Sequence, residues 1–259
     1  MIPRIVHFCH GFADKAPVFP LVHYIAVRSA MHWIHPEAVH FHFVNEPVGP
    51  YWDAIRPSLT LVRHQPFDHV FDRPIRHFAH KADVVRLRAL IESGGIYLDI
   101  DTICCRPWDG LLAKSCVLGL QRYHHGELGL CNAVMLGEPG NTFLADWLAA
   151  YRDFSDARWD EFSVRVPFQI AGMSGRLQPR RDDLHVEPVE SFFQPDYTPS
   201  GLKNLFERVV SYPRAYCHHL WESFGYRRYL LPLTEDLVRE VDTTYNLLAR
   251  PFLPSGETA

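Results

Sequence analysis

The chain has 259 residues, of which 47% are hydrophobic and 22% charged, and its formal net charge is −4. This balance is typical of a globular protein that buries a core of good size, in one large domain or two small ones. A slightly acidic chain gives no indication of a nucleic-acid partner. No apolar run reaches the roughly 20 residues of a membrane span, and the opening MIPRIVHF lacks a secretory pattern. We therefore expect a cytoplasmic protein whose membrane contact, if any, is peripheral.

The N-terminal part alternates between strand and helix patterns. Short apolar stretches predict strands, and an apolar stripe at helical spacing predicts a helix between the first two. The strands are predicted over residues 4–9, 38–44 and 59–64, and the helix over residues 21–33. In the second strand, His40 and His42 fall on the face opposite Val39. This β-α-β order predicts an α/β fold with a largely parallel sheet.

The middle of the chain carries the clearest pattern. A helix is predicted over residues 79–93, and Gly94-Gly95 ends it before a strand over residues 96–100. Asn141 or Thr142 is expected to cap a later helix that runs to residue 152. Further strands are predicted over residues 116–120, 133–136, 185–189 and 216–220, a helix over residues 234–248, and a loose tail over residues 251–259. We expect a single domain with an irregular, partly helical C-terminal part.

Cysteine and histidine give weaker signals. None of the six cysteines forms a C-x-x-C pair, so a zinc site built on them is not indicated. Sixteen histidines reduce the weight that any single one carries.

Two carboxylates follow the strand after Gly94-Gly95. Strand alternation predicts that Tyr97, Asp99 and Asp101 point to one face. Two acids so close repel one another, and burial of either is costly without a partner. A divalent cation resolves both problems, and oxygen ligands favour Mg²⁺ or Mn²⁺, whose shell a substrate diphosphate would complete. The alternative is a turn whose aspartates face water.

The helix before this strand adds an acid and a base. Asp83 and Arg86 are three residues apart and share one helical face. Asp83 is suited to hydroxyl groups of ribose or a sugar, and the permanently charged Arg86 to a phosphate or a sugar oxygen. The alternative is an ordinary surface ion pair, worth a few tenths of a kcal/mol.

The segment HKADVVRLRALIESGGIYLDIDTICCRPWD, residues 80–109, closely resembles the DXD-containing sugar-binding region of the family 32 glycosyltransferases. That family includes bacterial capsule and lipopolysaccharide enzymes and yeast-type initiating mannosyltransferases, and it is similar to the core of clostridial glucosylating toxins. Weaker similarities are IPRIVHF at the start, Asn132 in LCNAVMLG, SFFQP at residues 191–195, and YCHHLWESF at residues 216–224. The motif positions filled here are Asp83, Arg86, Gly94, Gly95, Tyr97, Asp99 and Asp101.

The resemblance implies a GT-A-type fold, a mixed and mostly parallel sheet flanked by helices, and a retaining sugar transfer that needs Mn²⁺ or Mg²⁺. The residues implied on the metal are Asp99, Asp101 and His218, although the neighbouring His219 leaves the register of that histidine open. The residues implied in catalysis are Asp83, Arg86 and Asp99. Those implied at the donor are His7, His10, Asp83, Arg86, Tyr97, Asn132 and Ser223.

The implied reaction moves a hexose from a nucleotide-diphosphate sugar, with UDP favoured over GDP, to a glycan, a lipid-linked saccharide or a protein hydroxyl. Residues 1–150 would hold donor and metal, and residues 151–250 would form the acceptor side and the closing segment. Two positions depart from the family: His10 or Phe12 stands where a tryptophan often stacks on the base, and Phe224 replaces the closing tryptophan. These departures leave open a catalytically silent sugar-nucleotide-binding or interaction protein. A haloacid-dehalogenase phosphatase is disfavoured, because Ile103 stands where that motif has Thr or Val.

Overall fold

The computed structural model describes residues 1–254. Strands and helices follow one another along most of the chain. The strands are β1 Ile5–Cys9, β2 Ala38–Phe43, β3 Thr60–Arg63, β4 His69–Val70, β5 Arg73–Pro74, β6 Gly95–Leu98, β7 Thr102–Cys104, β8 Cys116–Arg122, β9 Leu128–Gly137, β10 His185–Glu187 and β11 Cys217–His219. The α-helices are α1 Leu21–Ile34, α2 Pro50–Ile55, α3 Phe78–Ser93, α4 Asp109–Leu112, α5 Thr142–Ala150, α6 Val166–Ile170, α7 Val189–Phe192, α8 Pro199–Phe206, α9 Glu222–Gly225, α10 Glu235–Glu240 and α11 Thr244–Ala249.

Seven strands form the main sheet in the order β10-β8-β9-β6-β1-β2-β3. β9 runs antiparallel to both of its neighbours, and the other adjacent pairs are parallel. The prediction of a mixed, mostly parallel sheet flanked by helices is confirmed. β10 lies beyond residue 150 in the chain and also belongs to this sheet. The sheet therefore contains strands from both parts of the chain that the sequence analysis distinguishes.

Both faces of the sheet are buried, and β6 shows how its side chains divide between them. Ile96 and Leu98 belong to the hydrophobic cluster that includes Ile25 of α1. Tyr97, between them, belongs to the opposite cluster, which includes Leu90 of α3. Strand alternation therefore sends Tyr97 to the face that α3 covers, where Asp83 and Arg86 also lie.

Two glycines make the turn that joins α3 to β6. Gly94 has a φ of 65° and Gly95 a φ of 116°, a region that favours glycine. A Cβ at Gly95 would lie 2.4 Å from the carbonyl oxygen of Ile5 on β1. This close approach lets β6 enter the sheet directly beside β1, and it places the end of β6 near the middle of α3.

The C-terminal part differs from prediction in two places. The helix predicted over residues 234–248 is two helices, α10 and α11, because Thr243 leaves the helical conformation and its hydroxyl caps the backbone N–H of Asn246 at 3.0 Å. The predicted loose tail is wrong for its first residues, since Arg250–Phe252 forms a 3₁₀ turn and Phe252 is buried against the core. Residues 255–259 lie outside the described residues.

Among residues 1–254, no helix combines the length and the apolar character needed to cross a bilayer.

Candidate metal and sugar-donor site

The two DXD aspartates lie in a turn that follows β6. The strand ends at Leu98, and the backbone N–H of Thr102 donates to the carbonyl oxygen of Asp99 at 3.1 Å. Strand alternation does place Tyr97 and Asp99 on one face, since the Tyr97 hydroxyl donates to Asp99 Oδ1. It does not place Asp101 there, because the chain turns at Ile100 and Asp101. The turn itself brings the two carboxylates together.

A histidine from far along the chain completes this group. β11 pairs antiparallel with β7, which places His219 opposite Thr102. His219 Nε2 lies 3.2 Å from Asp101 Oδ1 and 3.8 Å from Asp99 Oδ2. One ligand atom from each of the three residues lies within 4.8 Å of the other two. We call Asp99, Asp101 and His219 the Asp–Asp–His group; its two carboxylates and one imidazole fit a divalent cation such as Mn²⁺ or Mg²⁺.

Charge and burial shift the pKa values of these three residues in different directions. Burial raises the pKa of the Asp99 carboxyl, an effect that the nearby Arg86 charge opposes. Burial also acts on Asp101, but the neighbouring His219 and the backbone N–H of Glu222 outweigh it and hold the pKa of Asp101 at about 2. The pKa of His219 is raised, because the charge of Asp101 overcomes the effect of burial. Asp101 is thus held ionised although its side chain is buried.

The structure places His219, not His218, beside the carboxylates. His218 is 2% exposed, and its Nδ1 lies 2.6 Å from the carbonyl oxygen of Gln194. Adjacent residues of a strand point to opposite faces, so only one of the two histidines reaches the acids. The predicted metal role of His218 is corrected accordingly.

Asp83 and Arg86 form a buried pair beside the Asp–Asp–His group. They are 4% and 5% exposed, which overturns the alternative of a surface ion pair. Arg86 Nη2 lies 3.3 Å from Asp83 Oδ1, and Arg86 Nη1 lies 2.9 Å from Asp99 Oδ1. Despite burial, these carboxylates raise the pKa of Arg86. The guanidinium thus connects α3 to the turn after β6.

Asn132 of β9 holds this pair from the other side. Its side-chain amide donates to Asp83 Oδ1 at 2.7 Å, and its backbone carbonyl oxygen accepts from Arg86 Nη1 at 2.9 Å. Asn132 follows Cys131, where the pairing of β9 with β8 shifts register. Such an irregularity redirects side chains out of the regular ladder, which frees Asn132 for Asp83.

Tyr97 supports the site from below and does not line it. Its hydroxyl donates to Asp99 Oδ1 at 2.7 Å, and its ring lies under Arg86, with the guanidinium carbon 4.3 Å from the ring centroid. The side chain is 1% exposed and is absent from the lining of the cleft. Its predicted contact with the donor is therefore replaced by a positioning contact with Asp99.

The Asp–Asp–His group opens into a cleft of about 1010 Å³. Seven of the remaining residues named from the sequence line it: His10, Phe12, Asp83, Arg86, Asn132, Ser223 and Phe224. Aromatic and polar side chains that sequence reasoning missed also contribute: Gln121, Tyr123, Trp159, Tyr197 and Tyr226. Of these, Trp159 is 54% exposed, and Tyr197 stacks on Phe224 with ring centroids 4.8 Å apart.

The two N-terminal histidines have separate positions. His10 lines the cleft, packs edge-on against His23 with ring centroids 4.8 Å apart, and has a buried Nε2 without a hydrogen-bond partner among residues 1–254. His7 is fully buried, away from the cleft lining. Its Nε2 lies 2.9 Å from the carbonyl oxygen of Gly94, and burial lowers its pKa to about 4. The predicted donor contact of His7 is therefore wrong.

The amino-acid sequence is similar to that of known glycosyltransferases. The family described as "Glycosyltransferase sugar-binding region containing DXD motif" matches residues 35–118. Glucan organizing enzyme 1 of Cryptococcus neoformans var. grubii is 36% identical over 267 residues, which covers 98% of this chain and 71% of that protein.

Two solved structures share the fold. The galactosyltransferase LgtC, in complex with donor and acceptor sugar analogues, superposes with a TM-score of 0.53 at 10% identity and covers 97% of this chain and 96% of its own. The glycosyltransferase GlyE of Streptococcus pneumoniae superposes with a TM-score of 0.53 at 13% identity, over 97% of this chain and 60% of its own. At these identities the likeness concerns the fold alone, which is of the GT-A type.

Proposed function

Because this chain belongs to the family of glycosyltransferases whose sugar-binding region contains a DXD motif, we propose that it is a retaining, metal-dependent hexosyltransferase. The donor is a nucleotide-diphosphate sugar, with UDP favoured and GDP second. The acceptor is a hydroxyl group of a glycan, a lipid-linked saccharide or a protein. The name of the fungal relative supports a glycan acceptor.

One observation carries this proposal: Asp99, Asp101 and His219 converge within 4.8 Å at the cleft, beside the buried Arg86. Arg86 and Tyr97 both use Asp99 Oδ1, which leaves Asp99 Oδ2 for a ligand. Glu222 uses Asp101 Oδ2, so Asp101 Oδ1 and His219 Nε2 face the same point. These three residues would hold Mn²⁺ or Mg²⁺. When bound, the cation would neutralise negative charge on the diphosphate leaving group.

The protein's own residues then orient and stabilise the donor. Asp83 uses Oδ1 for both Asn132 and Arg86, which leaves Oδ2 to accept a hydrogen bond from a sugar or ribose hydroxyl. Arg86 adds fixed positive charge near the diphosphate, where exclusion of water strengthens it. The bond between the anomeric carbon and the diphosphate oxygen breaks, and its electron pair leaves with the nucleoside diphosphate. The acceptor hydroxyl attacks from the face that the leaving group occupied, and its proton passes to the departing diphosphate oxygen.

Two stretches of the chain contribute to the proposed site. Residues 1–150 supply the carboxylates, Arg86 and Asn132. Residues 151–250 supply His219 and Ser223, together with the cleft walls around Trp159, Tyr197 and Phe224, which we assign to the acceptor. We further propose a cytoplasmic location, which is supported by six cysteines that are all free.

A second candidate is a catalytically silent protein that binds sugar nucleotides on the same fold. One contact favours it: the indole N–H of Trp221 donates to the carbonyl oxygen of Pro195 at 3.0 Å. Phe224, which replaces the closing tryptophan, offers no such donor. The diphosphate oxygen that leaves the sugar would then receive no indole hydrogen bond from the closing segment that contains Trp221 and Phe224.

A thermal-shift panel of UDP, GDP and CMP sugars, each with and without Mn²⁺, tests donor and metal together. We expect a rise in melting temperature that requires both the sugar nucleotide and the ion, because ligands that bind only the native state stabilise it. Asp101→Ala should abolish that rise. A shift that is independent of Mn²⁺, or that survives in the variant, would refute the metal assignment. Donor hydrolysis measured on the same samples separates an enzyme from a silent binder, and NMR of the anomeric proton tests retention.

A further inference from the structure

A second cluster of metal-binding side chains lies on the sheet, outside the cleft. His7 of β1 and His40 and His42 of β2 each offer one ring nitrogen, and these nitrogens lie within 4.8 Å of one another. His64, just after β3, joins them through His42. We call His7, His40, His42 and His64 the imidazole cluster. None of them lines the cleft, and the proposed transferase reaction makes no use of them.

Register explains why these rings meet. His7 pairs with His40 across the parallel β1–β2 ladder, and His42 follows two residues later on the same face of β2. The backbone N–H of His64 donates to the carbonyl oxygen of Phe43 at 2.7 Å, which continues the pairing of β2 with β3. Three neighbouring strands thus present imidazoles to one patch of the sheet.

From this geometry we propose that the imidazole cluster binds a zinc-class divalent ion through His7, His40 and His42. His7 Nδ1 and His42 Nε2 are 3.1 Å apart. Two nitrogens bound to one tetrahedral zinc ion are about 3.3 Å apart, given zinc–nitrogen distances near 2.05 Å. Imidazole nitrogen suits Zn²⁺, Ni²⁺ and Cu²⁺, whereas Mg²⁺ prefers oxygen, so this site differs in chemistry from the Asp–Asp–His group.

The outer nitrogens of two ligands already have the partners that such a site requires. His7 Nε2 lies 2.9 Å from the carbonyl oxygen of Gly94, which can only accept a hydrogen bond. Nε2 therefore carries the proton, and Nδ1 has a free lone pair for an ion. His42 Nδ1 lies 3.0 Å from His64 Nε2, which accepts that proton when His42 Nε2 binds the ion. Metal-bound histidines usually donate their other N–H to an acceptor of this kind, which fixes the tautomer and the ring orientation.

An ion can reach the imidazole cluster from solvent, and the rings are in a form that can bind it. His7 and His42 are buried, but His40 and His64 are partly exposed and give an ion a route from solvent. The burial of His7 and His42 favours the uncharged form of both rings. Neutral imidazole is the form that binds metals.

The test uses the full chain carrying Asp99→Asn and Asp101→Asn, which disables the acidic site. Titration with Co²⁺ should give the visible absorption of a tetrahedral histidine site at one equivalent, and Zn²⁺ should displace it. His40→Gln should weaken Co²⁺ binding at least tenfold. His40 makes no side-chain hydrogen bond to any described residue, so this variant should fold normally; His42→Gln provides a second, buried ligand change.

The matched control is His69→Gln, which removes an exposed histidine elsewhere on the surface. Absence of tetrahedral absorption, or Co²⁺ binding that His40→Gln leaves unchanged, overturns the proposal. Either result leaves the transferase proposal intact, because the acidic site is already disabled in this protein. A rise in melting temperature with Zn²⁺ that disappears in both ligand variants is a second expected result, independent of spectroscopy.

Discussion

The backbone N–H of Glu222 donates a 2.8 Å hydrogen bond to Asp101 Oδ2, although 121 residues separate the two along the chain. The backbone N–H of Leu220 also donates, at 2.8 Å, to the carbonyl oxygen of Asp101. Together with His219, these contacts fasten the C-terminal segment to the DXD turn. Asp101 is therefore held by the C-terminal segment, whereas Asp99 is held by Arg86 and Tyr97.

The hydrogen-bonded carboxylate of Asp101 should make the free energy of unfolding depend on pH in the acidic range. The pKa of Asp101 is about 2 in the folded chain and 3.8 in its reference state. Between these values the unfolded chain binds more protons, so stability rises with pH; the contribution is complete above pH 3.8 and lost as pH falls through about 2. We expect wild type to exceed Asp101→Asn by about 2 kcal/mol at pH 5, with the difference shrinking towards pH 2. Urea unfolding of the metal-free proteins at each pH measures it, and a constant difference would contradict the assignment.

The adjacent histidines provide a matched pair of variants. His219→Ala should weaken Mn²⁺ binding at least tenfold, because it removes the imidazole that faces Asp99 and Asp101. His218→Ala should lower stability, since its ring is buried and contacts Gln194, but leave Mn²⁺ affinity unchanged. Electron paramagnetic resonance of free Mn²⁺ measures both affinities. The reverse result would show that the register of β11 against β7 is wrong.

Tyr97→Phe isolates the contact beneath Asp99. The variant keeps the ring under Arg86 but loses the hydroxyl that donates to Asp99 Oδ1. We expect a loss of about 1 kcal/mol in the free energy of unfolding and weaker Mn²⁺ binding, because Asp99 becomes free to rotate. Tyr245→Phe is the control, since its buried hydroxyl has no partner among residues 1–254 and its removal should cost little. Equal losses in both variants would remove the positioning role of Tyr97.

Asp83→Asn should destabilise the chain by about 3 kcal/mol, because it leaves the buried Arg86 charge with one carboxylate partner, Asp99, in place of two. Asp109→Asn breaks an exposed ion pair with Arg4 and should change stability little. Urea unfolding at pH 7 compares the two. Similar small effects would indicate that water reaches Arg86 and would weaken its proposed role at the diphosphate.

Local pattern was enough to predict most of the sheet. The strands β1, β2, β3 and β6 and the helix α3 follow from apolar periodicity and from Gly94-Gly95, because each is decided by residues close in sequence. The shared helical face of Asp83 and Arg86 follows from their spacing and is confirmed, whereas the burial of the pair is not predicted by the sequence.

The errors arose where distant contacts decide the outcome. His219 reaches the acids because β11 pairs with β7, a long-range pairing that the sequence of two adjacent histidines does not encode. The resemblance implies that His7 contacts the donor, but the register of β1 against β2 places His7 in the imidazole cluster. The division of the helix predicted over residues 234–248 has a local cause, because the capping role of Thr243 depends on its backbone conformation and not on periodicity.

The pairing of β7 with β11 also has a consequence for synthesis. A ribosome that has finished the entire DXD motif has still not made His219 or Glu222, and both arise more than 110 residues later. Until they emerge, the nascent chain exposes two neighbouring acids without their closing partner, so cation affinity should arrive late and abruptly during translation. A gene fragment that carries the recognisable motif would accordingly encode the signature of the family without a working site.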